Sequence, residues 1–401
     1  MPGPLPDGEP VPDDGALPAE AAAAAGRHGF GVYVHVPFCA SRCGYCDFNT
    51  YTASELGGGV SRETYADTVL AELALAARTV RPARVDTVFV GGGTPTLLPP
   101  DDLARILDGI DAAWGLAPDA EVTTEANPES VTPASLRALR SAGYDRISLG
   151  MQSASPGVLA ILDRRHTAGR APRAAAEARE AGFEHVNLDL IYGTPGETAE
   201  DFAASLDTVI AAGVDHVSAY SLIVEDGTRM AARMRRGELP YPEDDVAADR
   251  YLAADAALSA AGFSWYEVSN WARTPAARCR HNRLYWTGGD WWGLGPGAHS
   301  HVGGVRWWNV KHPAAYGRRL AAGLSPGQGR ELLSAADRHV EDVMLRVRLS
   351  DGLPLSAADP AGAEKALAGA LIEPDAYARG RIVLTLAGRL LADAVVRDLL
   401  P

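Results

Sequence analysis

Cysteine is nearly missing from this sequence: there are four in 401 residues. So few thiols cannot build a disulfide scaffold. Basic charge is also in deficit. Lys and Arg total 37 against 51 Asp and Glu, a formal net charge of −14, which argues against nucleic acid as the main partner but leaves room for a local basic patch. Long apolar runs are absent, and no segment approaches the length of a membrane span. The run "AAAAAG" near the N-terminus is too short for a signal-peptide core and has no basic region before it. The expectation is a soluble, cytoplasmic chain. What remains is 47% hydrophobic and long enough for more than one domain, or for a single barrel with a small appendage.

Residues 1–28, rich in Pro, Gly, Ala and acidic side chains without a period, are expected to be a disordered extension. From residue 29 to about 235 one rhythm repeats. Short β-rich runs ("GVYVHV", "VDTVFV", "EVTTEA", "DRISLG", "HVNLDLIYG", "HVSAYSLIV") alternate with Ala/Leu/Arg-rich helical runs, several closing on glycine at Gly143, Gly182 and Gly213. Alternation of this kind implies parallel strands with right-handed crossovers. Six units are too few for a complete eight-fold barrel, so a partial barrel and an open doubly wound sheet both fit. Residues 236–330 read as a linker and an aromatic, glycine-rich region. Residues 331–401 read as a small winged-helix-like domain, built from helices and a strand-like "IVLTL". Winged helices often bind DNA, but the overall acidity favours a packing or lid role here.

Three of the four cysteines, Cys39, Cys43 and Cys46, fall in one loop after the first strand. In a reducing compartment such clusters bind metal or do redox chemistry. The C-x3-C-x2-C spacing offers no second zinc-type pair. His35 and Asp47 are near enough in sequence to complete a structural zinc site, which stays as an alternative. Three thiolates also suit an iron–sulfur cube with one iron left for a small molecule. The following strands end in "GGGTPT", "TEANPE" (Glu125, Asn127), "GMQS" (Gln152) and, after Asp189, "YGTPGE". In a parallel α/β fold these ends share one face, so together they describe one large site. "GGGTPT" carries no G-K-[ST], which excludes a Walker loop; its backbone could instead meet an amino-acid-like ligand, with Glu125 as partner for a cation.

These motifs resemble the radical S-adenosylmethionine (SAM) superfamily. "YVHVPFC", "GGGTPT", "TEANPE", "LGMQS" and "DLIYGTPGE" are together similar to its oxygen-independent coproporphyrinogen III oxidase-like group, over residues 31–401. The resemblance implies a partial (β/α)6 barrel with a C-terminal extension and a [4Fe–4S] cluster at its mouth. Cys39, Cys43 and Cys46 would be the cluster ligands. SAM on the fourth iron would be surrounded by Tyr33, Tyr45, Gly92, Gly93, Thr94 and Glu125 and cleaved to a 5′-deoxyadenosyl radical. Gln152, Arg164 and Asp189 match positions the oxidase uses for a second SAM.

One departure selects a branch. The oxidase carries a fourth cysteine two residues after the third; here that residue is Phe48, which can neither ligate nor react as a thiol. With "HNRLYW" at residues 281–286, this resembles the HemW-type haem chaperone branch, which implies haem as a further ligand, client haemoproteins and an electron donor as partners, and no coproporphyrinogen III oxidase activity. Transient contact with membrane-protein clients fits the same reading, as does either a monomer or a homodimer. The true oxidase is the alternative function, and a zinc- or cluster-stabilised binding barrel without radical chemistry is a third. Haem wants an axial ligand and an apolar wall. Residues 279–308 supply His281, Tyr285, His299 and His301 among five of the chain's eight tryptophans. His281 reads as a haem ligand or as a hydrogen-bonded core histidine, and for any single tryptophan packing over the barrel's open side is the simpler role. Cys279 reads as a small buried residue. There is no C-x-x-C-H motif for covalent haem attachment.

Overall fold

The computed structural model describes residues 8–56, 61–82, 84–165 and 167–400. A short helix α1 (Ala19–Ala24) precedes strand β1 (Phe30–Val36). Helix α2 (Arg62–Thr79) leads to β2 (Val85–Gly92), α3 (Pro100–Trp114) to β3 (Leu116–Ala126), and α4 (Pro133–Ser141) to β4 (Arg146–Gln152). Helices α5 (Pro156–Ile161) and α6 (Arg170–Glu180) lead to β5 (His185–Tyr192), and α7 (Ala199–Ala211) to β6 (His216–Ser221). These six strands pair in parallel in sequence order, the (β/α)6 arrangement expected. The punctuation is local chemistry. Thr132 and Thr198 cap α4 and α7 by accepting backbone N–H bonds from Ser135 and Asp201. Gly143, Gly182 and Gly213 follow α4, α6 and α7 in the left-handed region, at φ of 105°, 93° and 67°.

Strand alternation separates core from site. In β4, Ile147, Leu149 and Met151 join the apolar core shared with the helices, while Arg146, Ser148 and Gln152 line a cavity on the opposite face. The same split places Thr123 and Glu125 of β3, Asn187 and Asp189 of β5, and His216 and Ser218 of β6 on that inner face.

The barrel is then extended. After α8 (Arg229–Arg235) and α9 (Asp244–Ala260) come β7 (Ser264–Glu267), β8 (Asn270–Ala272), α10 (Arg280–Trp286), β9 (Asp290–Leu294), β10 (His299–Val302), β11 (Val305–Asn309), α11 (Pro313–Ala321) and β12 (Gly327–Leu332). The sheet runs β12-β11-β10-β9-β1-β2-β3-β4-β5-β6-β8-β7. Residues 236–330 therefore supply five whole strands and the start of β12. An open partial barrel leaves unpaired backbone groups on β1 and β6, and these strands satisfy both edges.

The N-terminal expectation also changes. Residues 1–7 lie outside the described residues, but from Gly8 onward the chain packs on the sheet. Glu9 and Arg330 of β12 exchange backbone hydrogen bonds of 2.9 and 2.8 Å, and their side chains pair at 2.7 Å. Asp290 accepts the backbone N–H of Gly26 at 2.9 Å. Residues 8–28 are thus not a disordered tail: they cover the outer strand through backbone pairing and charge, which apolar content does not report.

Helices α12 (Ala335–Arg346), α13 (Pro360–Ala368), α14 (Pro374–Ala378), α15 (Leu386–Leu390) and α16 (Ala392–Leu399) form a small domain with its own core of Val343, Leu353, Ile382, Val395 and Leu399. The strand-like "IVLTL" contributes Ile382 to β14 (Arg381–Ile382), paired with β13 (Leu353–Pro354), and Leu384 to an isolated bridge with Ile372. Arg389 docks this domain on α9 through Asp255, at 2.8 and 3.1 Å, with its guanidinium over the Trp265 ring. No helix among the described residues is long and apolar enough to cross a membrane.

Candidate functional site

The cysteine loop leaves β1 and is tied at base and tip. Cys39 N–H donates to the Tyr51 carbonyl at 3.0 Å, and Tyr51 N–H donates to that of Pro37 at 2.7 Å. At the tip, Gly44 N–H donates to the Leu162 carbonyl at 3.0 Å, and the Gly44 carbonyl accepts from Met230 N–H at 2.8 Å. The Arg229 guanidinium donates to the Arg42 carbonyl. Cys39, Cys43 and Cys46 are half-buried free thiols. Burial raises the Cys39 thiol above its ordinary pKa and pushes that of Cys46 up to about 11, so a metal centre must displace their protons to bind.

Among the described residues no three His, Cys, Asp or Glu side chains converge as a site for one ion. His35, offered by sequence as a fourth zinc ligand, has Nδ1 3.0 Å from Tyr33 Oη and Nε2 2.9 Å from the Asn49 carbonyl. Three thiols spread around a cavity wall suit a multi-iron cluster, whose corner irons each take one thiolate.

The glycine turn after β2 locks against this loop. Gly93 N–H donates to the Val36 carbonyl and Thr94 N–H to that of Phe38, both at 2.8 Å. A Cβ at Gly93 would lie 2.5 Å from the Phe38 oxygen, and Gly92 has φ of 107°, so neither position admits a side chain. Glu125 accepts the Gly92 N–H at 2.9 Å. Burial, with the Asp189 carboxylate adding and that hydrogen bond opposing, pushes the Glu125 carboxyl up to about 7. Asp189, also raised by burial, accepts from Ser148 Oγ at 3.0 Å and Asn187 Nδ2 at 2.6 Å. Arg164 donates to the Gly150 carbonyl at 2.9 Å and to Cys43 Sγ at 3.5 Å, while its buried Nε has no partner among the described residues. Gln152 is held at φ of 69°, a costly conformation for a residue with a Cβ and one that clusters at working sites. The three cysteines, Gly92, Gly93, Thr94, Glu125, Gln152, Arg164, Asp189 and Tyr45 all line one cavity of about 300 Å³.

A second cavity of about 450 Å³ continues down the barrel, sharing Tyr45, Glu125, Gln152 and Asp189 with the first. Tyr33, His281 and Tyr285 line it, so the cluster, SAM and haem residues named from sequence border one chamber or both, except His299 and His301. His281 is 1% exposed. Its Nδ1 lies 2.8 Å from Thr87 Oγ1, its Nε2 lies 2.7 Å from Tyr285 Oη, and its ring stacks on Phe89. Burial drops its pKa to about 3, so it is neutral near pH 7. Both nitrogens are engaged, and ligating an iron would require releasing Thr87 or Tyr285. The two hydrogen bonds are what the core-histidine reading expects, while the ring also lines the cavity.

The tryptophans do not wall this cavity. Trp292, Trp307 and Trp308 are buried in the sheet, and the aromatic lining comes from Tyr33, Tyr45, Phe48, Phe89, Tyr220 and Tyr285. His299 and His301 belong to β10, outside both chambers. Cys279 is buried, with its thiol 3.5 Å from Glu121 Oε1.

Sequence reasoning passed over the lower inner layer of Glu121, Thr123, Arg146 and His216. The available signal was polar residues two apart within otherwise apolar strands, as in Glu121–Thr123–Glu125 and Arg146–Ser148. Glu121 accepts the N–H groups of Arg280 and His281 at 2.9 Å each, which fixes the start of α10 across the barrel.

A parallel partial barrel with a three-cysteine loop over a glycine turn defines the radical SAM class. The model of the radical SAM superfamily matches residues 33–209. The chain is 59% identical over 374 residues to the "Heme chaperone HemW" of Mycobacterium tuberculosis (strain ATCC 25618 / H37Rv), covering 92% of this chain and 95% of that one. To the protein of the same name from Escherichia coli (strain K12) it is 36% identical, covering 80% and 83%. The chain belongs to the HemW family of the radical SAM superfamily. The solved coproporphyrinogen III oxidase (HemN) from Escherichia coli, a radical SAM enzyme, superposes with a TM-score of 0.80 over 95% of this chain and 92% of that one; at 24% identity it shares the fold.

Proposed function

We propose that this protein is a haem chaperone that holds a [4Fe–4S] cluster on Cys39, Cys43 and Cys46, binds SAM beside it, takes haem into the barrel and passes it to client haemoproteins. The observation that carries the reading is Phe48. It occupies the position of the oxidase's extra cysteine, is 62% exposed, and lines the barrel cavity. Tyr220 (43%) and Ile223 (54%) are exposed on the same lining, a largely apolar rim that suits a flat apolar ligand entering and leaving. The names of the relatives support the same role.

When bound, cluster and SAM supply one-electron chemistry. The chain's own residues bind and orient. The glycine turn would present backbone groups to the methionine end of SAM and Glu125 would face its positive charge, while Arg164 donates to Cys43 Sγ at 3.5 Å. Gln152 and Asp189 border both chambers, placed for a second SAM or for the haem side of the first.

Anaerobic reconstitution should load about four iron and four sulfide per chain. Haem titration followed at its Soret band should then saturate, and coproporphyrinogen III should pass through unchanged. No haem uptake together with formation of protoporphyrinogen IX would establish the oxidase reading instead. One zinc and no sulfide would remove both.

A further inference from the structure

The lower end of the barrel cavity holds polar groups that the cluster and SAM do not use. Arg146 and Thr123 are register partners on β4 and β3, 2% and 0% exposed, and both line the cavity. Arg146 donates from Nη1 to the Ala277 carbonyl at 2.8 Å, and the same nitrogen is 3.9 Å from Glu121 Oε2. Its Nη2 has no hydrogen-bond partner among the described residues, and neither does Thr123 Oγ1. Glu121 does not supply the missing acceptor: its oxygens take the Arg280 and His281 N–H groups and the Cys279 thiol, and its approach to Arg146 is the 3.9 Å ion pair to Nη1. A desolvated guanidinium nitrogen without an acceptor is costly, and a carboxylate is its best complement.

The charge layout along the cavity gives a direction. Glu125 and Asp189 occupy the upper part, with Glu225 also in the wall, and Phe48, Tyr220 and Ile223 form an apolar rim. The cation is at the floor. From Gln152 to Arg146 the chamber follows β4 for roughly 20 Å at ~3.3 Å per residue. A guest touching both ends must be long, apolar at one edge and anionic at the other.

We infer that the floor of the barrel is a carboxylate subsite, in which Arg146 Nη2 and Thr123 Oγ1 receive a propionate arm of the haem guest while its apolar edge points to the Phe48 rim. The inference rests on the haem reading above and adds the orientation of the guest and the groups that recognise it.

The test compares haem with haem dimethyl ester, which lacks both charges, by Soret titration of the cluster-loaded protein. Wild type should favour haem over the ester at least about tenfold, as expected for hydrogen bonds to a charged group. Thr123→Val, which removes a hydroxyl without a protein partner, should cut that preference several-fold. Arg146→Gln should abolish it, with cluster content as the control for folding. If wild type binds haem and ester equally, or Thr123→Val keeps the full preference, the subsite is overturned and the haem reading stands. If wild type binds neither, the haem reading fails, and calorimetry with adipate against dimethyl adipate decides the subsite. Heat from adipate that Thr123→Val reduces keeps a carboxylate site for a different guest, whereas no heat removes it.

Discussion

Glu125 gives the sharpest prediction about the SAM side of the site. The carboxyl is buried, receives the Gly92 N–H at 2.9 Å, and is pushed from 4.5 up to about 7 by burial first and the Asp189 carboxylate second. In the folded protein at pH 6 only about a tenth of Glu125 is therefore ionised; at pH 8 about nine-tenths is. Between pH 4.5 and 7 the unfolded chain ionises while the folded chain keeps the proton, so stability falls as pH rises through that window, by about 3.4 kcal/mol at ~1.36 kcal/mol per unit. SAM reverses the sign. Its permanent positive charge favours the ionised form, draws the pKa down and expels the proton. Glu125-linked affinity should rise about tenfold from pH 6 to pH 8, with release of about 0.9 proton at pH 6 and about 0.1 at pH 8. Calorimetry on the reconstituted protein in buffers of different ionisation enthalpy measures both, and Glu125→Gln subtracts the protons contributed by SAM's own amino group. The Gln variant should bind more weakly at pH 8 and lose the Glu125-linked slope. Equal proton release by wild type and variant, with equal affinity at pH 8, would refute the assignment of Glu125 to the cation.

Other perturbations read other parts of the molecule. Replacing any one of Cys39, Cys43 or Cys46 by Ser should drop iron and sulfide far below four per chain, whereas Phe48→Ser, at an exposed rim position, should leave loading intact; both are read by iron and sulfide analysis. His281→Ala removes a buried ring and leaves Thr87 and Tyr285 without their shared partner, which should cost about 2–4 kcal/mol in chemical denaturation. Haem affinity that falls in step with this stability loss, and is rescued by His281→Asn, would mark His281 as a positioning residue rather than an iron ligand. Arg389→Ala breaks a largely buried pair with Asp255 and should cost about 3 kcal/mol, read as faster proteolytic release of the C-terminal domain after β12.

The amino-acid order carried the six-unit rhythm, the cysteine spacing, the glycine turn and the branch-marking Phe48. Each is a local pattern: strand periodicity, helix caps and residue types that chemistry restricts. That is why the sequence alone puts Cys39, Glu125 and Asp189 at the same ends of their strands. Other outcomes depended on contacts between distant segments. The strands of residues 264–332 are short and glycine-broken, and they become sheet because β9 pairs with β1, β8 pairs with β6 and the others pair outward from these two. Residues 8–28 hold little apolar mass, yet backbone pairing with Arg330 secures them. The partners of His281, Thr87 and Tyr285, come from distant segments and meet its two nitrogens only in the fold. Arg146 and Thr123 show the same limit, since a polar residue in a strand reports a cavity only once the barrel decides which face is inside.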